Sequence, residues 1–244
     1  MILFRSLLFQ VAFYAWTIGL GILFLPLMLA PGDWMMRCGA FWSAGTLKLL
    51  AWTAGLTYEV RGREHLPDGP ALIAMKHQSA WDTFAAPVIF KQPAVVIKRE
   101  LTWIPVYGWC VRRAGMIPID RDAGPTALKA LVAASARMLA AGRSVLIFPE
   151  GTRSAIGAAP AYLPGIFALY RQAGVKLVPV AVNSGVFWGR RRFAKRPGRI
   201  VVEILPPILP GGDRRSVMGA LEQAIETATA RLVAEAQDAS QGWG

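Results

Sequence analysis

The chain opens on an apolar run. From Leu7 to Leu29 no residue is charged, and Gln10 and Thr17 are the main polar interruptions. As a helix, these 23 residues can cross a hydrocarbon core of about 30 Å, and they exceed the apolar stretch of a cleavable signal. Ala30-Pro31-Gly32-Asp33 breaks the run, with Asp33 placed to cap the next helix. Trp34 to Leu56 is a second apolar stretch, weakened by Arg37 and Lys48. Its Trp34, Trp42 and Trp52 suit a membrane interface. The short connection predicts two antiparallel helices that either cross the bilayer as a hairpin or dip into one leaflet and return. The alternative for the second stretch is a helix packed on a soluble core.

After Leu56 the pattern changes. Leu56–Gly62 alternates like a strand, and Ala71–Met75, Ala94–Lys98, Ser144–Phe148, Val175–Asn183 and Arg199–Leu205 are short apolar runs that read as strands. Between them lie helical patterns: one starting near Trp81, a short one over Trp103–Arg113, and Gly124–Gly142, whose Leu128, Leu131, Val132, Ser135, Met138 and Leu139 share a face at the 3.6-residue period. Leu163–Gln172 also reads as helix, and Ser216–Ala236 as a terminal amphipathic helix burying Val217, Leu221, Ile225 and Leu232. Alternating strands and helices predict an α/β fold, a single mixed sheet flanked by helices. It is preceded by the N-terminal membrane-embedded two-helix segment, which divides the chain into 1–55 and 56–244.

Composition sharpens this. Of 244 residues 54% are hydrophobic and only 17% charged, low for a purely soluble domain, while the net charge is +12. A basic and apolar protein suits an anionic membrane surface before it suits nucleic acid, for which an apolar N-terminus has no use. All but three of the basic side chains lie beyond Leu56, which places the larger domain on the cytoplasmic face of the inner membrane. Two cysteines, Cys38 and Cys110, form neither a disulfide framework nor a metal cluster. Histidine chemistry rests on His65 or His77.

His77 follows the buried run Ala71–Met75, and Asp82 follows five residues later. On one continuous helix the two would diverge by about 140°. A strand-to-helix turn, with Ser79 as N-cap and Asp82 in the first helical turn, lets the carboxylate reach back to the imidazole. That pair suits general-base catalysis on a substrate hydroxyl, with the carboxylate fixing the tautomer. Other polar residues also collect where strands end: Lys98, Asp120-Arg121 and Glu150-Gly151-Thr152-Arg153. In open α/β sheets ligands bind at the carboxyl ends of strands. Lys98, Arg121 and Arg153 there are suited to a phosphate, and Gly151 lets the backbone approach it.

These stretches, in order, resemble the glycerophospholipid acyltransferases, and within them the 1-acylglycerol-3-phosphate (lysophosphatidic acid) acyltransferases. The blocks are His77-x-x-x-x-Asp82, Gly115-Met116-Ile117-Pro118-Ile119-Asp120-Arg121, Phe148-Pro149-Glu150-Gly151-Thr152-Arg153-Ser154 and Val178-Pro179-Val180-Ala181-Val182-Asn183. Lys98-Arg99-Glu100-Leu101, with Ile104-Pro105 and Gly108-Trp109, adds to them. The chain departs from the family where Lys76 replaces a frequent asparagine and Val182 a frequent proline; Lys76 is expected to alter acceptor preference.

The resemblance implies His77 as base, Asp82 as its orienting group, and Arg121 and Arg153, with Lys98, as phosphate ligands. Glu150, Gly151 and Thr152 shape the same pocket, and the fourth block is tied to packing or the acyl donor. The implied activity moves a fatty acyl group from a thioester, acyl-CoA or acyl-acyl-carrier-protein, to the sn-2 hydroxyl of 1-acylglycerol-3-phosphate, with no cofactor and no metal. Two alternatives stand beside it. One is the same transfer to glycerol-3-phosphate or a lyso-aminolipid. The other is a non-catalytic membrane binder using Arg190-Arg191-Arg192 and Lys195-Arg196 beside Phe187, Trp188 and Phe193.

Overall fold

A computed structural model of the chain describes residues 1–29, 32–120 and 123–241. Helix α1 covers Ile2–Leu23 and ends before Pro26, where a 3-10 turn, Pro26–Leu29, takes over; proline has no amide to continue the ladder. Helix α2, Gly32–Leu49, runs on as a π-helical turn over Leu50–Ala54 and stops at Gly55, which adopts the left-handed conformation. The two are antiparallel. Arg5 Nε donates to Thr53 O at 2.8 Å, Trp16 Nε1 to Trp42 O at 3.1 Å, and Trp42 Nε1 to Thr17 Oγ1 at 3.0 Å. The contact is close because residue 45 is glycine: a Cβ there would lie 2.2 Å from the Trp16 ring.

The sheet contains β1 (Leu56–Arg61), β2 (Leu72–Met75), β3 (Ala94–Lys98), β4 (Ile117–Ile119), β5 (Val145–Ile147), β6 (Leu177–Val182) and β7 (Gly198–Ile204), in the order β1-β7-β6-β2-β5-β3-β4. Strands β6, β2, β5, β3 and β4 are mutually parallel. Strand β7 is antiparallel to β6, and β1 is parallel to β7. The expected single mixed sheet flanked by helices is therefore what the chain forms. The central strands are buried on both faces, which explains their continuous rather than alternating apolar sequence.

Alternation reappears in the two cores that the sheet separates. Leu72 and Ala74 of β2 join Leu131 and Leu139 of α5 (Gly124–Ala140), Ile166 of α6 (Gly165–Ala173) and Leu221 and Ile225 of α8 (Arg214–Gln241). Ile73 and Met75 join Trp81, Ala85 and Ile89 of α3 (Trp81–Ile89) on the other face. The N-terminal helices complete this second core with Phe9, Leu47, Leu50 and Ala54.

Of the N-terminal pair, α1 alone is long and apolar enough to cross a membrane, by length and composition, among the described residues. Its outward side chains, including Leu7, Val11, Ile18 and Ile22, are exposed. Helix α2 lies between α1 and α3, burying Met35, Cys38, Thr46 and Leu47. Trp42 turns inward onto Phe13 and Phe84, whereas Trp34 and Trp52 stay exposed. Lys195 also differs from expectation. It is buried, its ammonium 4.7–5.1 Å from the ring centres of Trp188, Phe193 and Phe9, while its amide donates to Ser6 Oγ. It fastens α1 to the sheet rather than meeting lipid heads.

The patch over Trp103–Arg113 is not one helix. A 3-10 turn covers Arg99–Trp103, and α4 starts only at Tyr107, ending at Arg113. Pro105 and a left-handed Val106, φ 63°, separate them. A four-residue helix α7, Ser184–Phe187, which has no apolar period of its own, follows β6.

Candidate active site

Because β2, β5, β3 and β4 are adjacent and parallel, their carboxyl ends line one edge. The loops carrying His77, Glu150, Lys98 and Asp120 stand there side by side, in that order, at the roughly 4.8 Å spacing of neighbouring strands.

His77 leaves β2 just after Lys76, whose amide still donates to Val180 O of β6. The chain then turns into α3, and Asp82 folds back over the turn. One oxygen, Oδ2, accepts from Gln78 N, Ser79 N and His77 Nδ1, each at 2.8 Å. The other accepts from Ser184 Oγ at 2.5 Å. Half of the expected capping box thus forms, with Asp82 receiving the Ser79 amide. Ser79 Oγ instead accepts from Trp81 N at 3.1 Å, so the helix begins one residue beyond the expected cap.

A carboxylate only accepts hydrogen bonds, so Nδ1 of His77 carries the proton and Nε2 is the basic atom of the neutral ring. Asp82 is fully buried, while a tenth of the His77 side chain reaches the surface. The ring stacks on Phe148, centroids 4.0 Å apart and planes 20° from parallel. Three hydrogen bonds fix its backbone: His77 N donates to Glu150 Oε1 at 3.2 Å, and His77 O accepts from Ser154 N at 2.8 Å and Ser154 Oγ at 3.1 Å. Gly151, at φ 67°, makes the sharp turn that returns Ser154 to His77.

Four amides of the turn are already committed. Those of Gln78 and Ser79 go to Asp82, that of His77 to Glu150, and that of Trp81 to Ser79. None of the four is free to meet developing charge.

The remaining predicted residues divide into two groups. Glu150 and Gly151 are buried beside His77. Thr152, Arg153 and Lys98 are exposed along the same edge. Arg121 lies outside the described residues. Asp120 pairs with Arg99 at 2.7 Å. Burial pushes the Glu150 carboxyl up, against the pull of the Lys76 ammonium. Among the described residues no three His, Cys, Asp or Glu side chains gather in a way that could hold a metal ion. His65 sits apart, its Nδ1 2.9 Å from Ile204 O.

Sequence reasoning missed one member of the site and did not foresee where a second residue points. Ser184 reaches Asp82 from 102 residues away, and its only signal was its place directly after the fourth block. Lys76, singled out in the sequence, is buried and points beneath the sheet, to Glu226 of α8.

The acyltransferase family pattern matches residues 57–183. A 1-acyl-sn-glycerol-3-phosphate acyltransferase of Pseudomonas aeruginosa is 38% identical over 194 residues, covering 80% of this chain and 76% of that protein. The 1-acyl-sn-glycerol-3-phosphate acyltransferase alpha of Mus musculus is 30% identical over 246 residues, covering 97% and 84%. Among solved structures, the 1-acyl-sn-glycerophosphate (LPA) acyltransferase PlsC of Thermotoga maritima shares the fold, with a TM-score of 0.75 over 96% of this chain and 95% of that one at 20% identity. A histidine–carboxylate pair at the edge of a mixed sheet and these likenesses lead to one conclusion: the chain is an acyltransferase of the 1-acyl-sn-glycerol-3-phosphate acyltransferase family.

Proposed function

We propose that the enzyme transfers a fatty acyl group from a thioester donor, acyl-CoA or acyl-acyl-carrier-protein, to the free sn-2 hydroxyl of 1-acylglycerol-3-phosphate, giving phosphatidic acid. The observation that carries this reading is the Asp82-oriented His77 standing in one row with the exposed cations Arg153 and Lys98. The hydroxyl gives its proton to His77 Nε2 while its oxygen attacks the thioester carbonyl. The tetrahedral intermediate then expels the thiolate, which takes the proton back from the imidazolium. No acyl-enzyme forms and no cofactor takes part. Holding the two substrates together lowers the barrier by about 7–11 kcal/mol, and proton transfer contributes roughly 10²–10⁴-fold.

Arg153 and Arg121 bind the acceptor phosphate in this reading, with Lys98 third. The relatives from Pseudomonas aeruginosa and Mus musculus, named for transfer to 1-acyl-sn-glycerol-3-phosphate, favour the same acceptor. Arg153→Ala and Arg121→Ala are each expected to raise the apparent KM for acceptor about ten- to more than a hundredfold, as the loss of about 1.5–3 kcal/mol implies. The donor KM should stay near wild type. Initial rates with both substrates varied, across a panel of acceptors and both donor classes, give the check; equal damage to both KM values removes the phosphate assignment.

The hairpin is proposed to enter one leaflet of the inner membrane from its cytoplasmic face and return. In support, the first arm of the hairpin touches the sheet domain near both ends: Ser6 and Phe9 of α1 meet Lys195 and Trp188, while Phe24 and Leu27, just beyond α1, join Cys110, Ala114 and Met116. A bilayer-spanning α1 would draw Arg112 and Arg113, exposed beside that second contact, into or across the hydrocarbon, at roughly 2.5–3.5 kcal/mol per charge. Leu29, 94% exposed at the hairpin tip, supplies the test. Leu29→Cys, in a chain lacking Cys38 and Cys110, should resist an impermeant thiol reagent applied from the side opposite the catalytic domain. Labelling from that side overturns the re-entrant arrangement.

A further inference from the structure

Lys76 is buried to 1% side-chain exposure, directly before the histidine. The alternation of β2 explains where it goes. His77 continues the face of Ile73 and Met75, and Lys76 the face of Leu72 and Ala74, under α8. Its ammonium meets both oxygens of Glu226, at 2.7 and 2.8 Å, and Glu150 Oε1 at 3.3 Å. Tyr162 OH also donates to Glu226, at 2.7 Å.

We propose that Lys76, held by Glu226 of the C-terminal helix, is a positioning residue for acyl transfer: it fixes Glu150, and through Glu150 the backbone of His77, in the geometry that proton transfer requires. The proposal rests on the reading of His77 as the base. Glu226 lies outside residues 57–183, so the C-terminal helix becomes part of the catalytic apparatus.

The chain of contacts is continuous. Glu150 Oε1 accepts from His77 N and lies 3.4 Å from Ser154 Oγ, and Ser154 holds the other side of the same residue, His77 O. Glu150 Oε2 is buried with no hydrogen-bond partner among the described residues. A carboxylate so placed keeps its charge only if a cation stands beside it, and Lys76 is that cation. Removing Lys76 leaves Glu150 buried and uncompensated. The carboxyl then takes up a proton, and the anchor of the His77 amide weakens.

Lys76 is shared between two carboxylates, which gives the test its sign. The charged and titratable groups of this network are Lys76 and His77 at the end of β2, with Asp82 of α3 on His77, Glu226 of α8 and Tyr162 before α6 on the Lys76 side, and Glu222 of α8 acting on Tyr162. Losing a positive charge from this set favours protonation of its neighbours, so the acid limb of the kcat profile moves to higher pH. Losing a negative charge moves it to lower pH. Packing alone predicts neither shift.

The experiment compares Lys76→Met, Glu226→Gln and His77→Ala in the full chain, each checked by circular dichroism. Lys76→Met is expected to lower kcat roughly ten- to a hundredfold. The KM values for both substrates should stay within about twofold, and the acid limb should rise by about one pH unit or more. Glu226→Gln should move the limb downward. A folded Lys76→Met with unchanged kcat and pH profile overturns the proposal. So does a loss confined to KM, or a shift of both variants in the same direction. If Lys76→Met does not fold, Glu226→Gln decides alone, an unmoved or raised limb overturning the proposal. An active His77→Ala removes the base assignment itself, whereas an inert one leaves the Lys76 and Glu226 results to judge the positioning network.

Discussion

Replacing His77 with alanine is expected to cut kcat by between about a hundred- and ten-thousandfold, the range supplied by a positioned general base. The protein should keep its fold, because the side chain sits at the surface end of the core, a tenth exposed and stacked on Phe148. Asp82→Asn should be as severe for turnover and worse for stability. Four donors converge on that carboxylate: His77 Nδ1, Gln78 N, Ser79 N and Ser184 Oγ. An amide has one oxygen where the carboxylate has two, so at least one donor is left facing an N–H group, and the imidazole loses its reason to keep the proton on Nδ1. Single-turnover assays with purified protein, alongside thermal melts, separate the two effects. A folded His77→Ala with near wild-type kcat places the base elsewhere.

Removing residues 1–54 is expected to unfold the catalytic domain rather than simply detach it from lipid. The sequence suggests an anchor that could be cut away, leaving a domain active on soluble acceptors. Phe9, Leu47, Leu50 and Ala54 instead close the core against α3, the helix that carries Asp82. Burying each of the three larger side chains contributes about 1.5–3 kcal/mol. Their combined loss consumes most of a typical stability of about 5–15 kcal/mol. The fragment should show no cooperative melt in detergent and no activity on a short-chain, water-soluble acceptor. A folded fragment active on that acceptor shows that the hairpin is an anchor and nothing more.

Much of this was legible in the sequence. The fully buried strands announced themselves as apolar runs, and the spacing of His77 and Asp82 demanded a bend between strand and helix. What stayed hidden depends on strand order. Nothing in the local sequence says that β2 lies between β5 and β6, yet that placement sets Glu150 on one side of His77 and Ser184 on the other. Charged residues misled in a consistent way. Lys76 and Lys195 read as surface or ligand-facing cations, and both are buried. Their partners, Glu226 and an aromatic cage built from α1 and residues 188–193, are 150 and up to 186 residues distant along the chain. The break at Pro105-Val106 was likewise masked by an apolar pattern that continues across it.

The fastening of α1 by Lys195 also governs how the protein can be made. Ser6 receives its bond from an amide 189 residues further on, and β1, at the edge of the sheet, pairs with β7. At a synthesis rate of about 5–20 residues per second, the first helix waits roughly ten to forty seconds for the segment that covers its inner face. Until then only α2 covers it, and the rest of an apolar helix is bare to its surroundings. On the re-entrant arrangement proposed above, the bilayer shelters the helix during that interval, and insertion precedes closure of the sheet. Delayed or failed insertion should therefore surface as aggregation of newly made chains, even where every residue of the finished enzyme is intact.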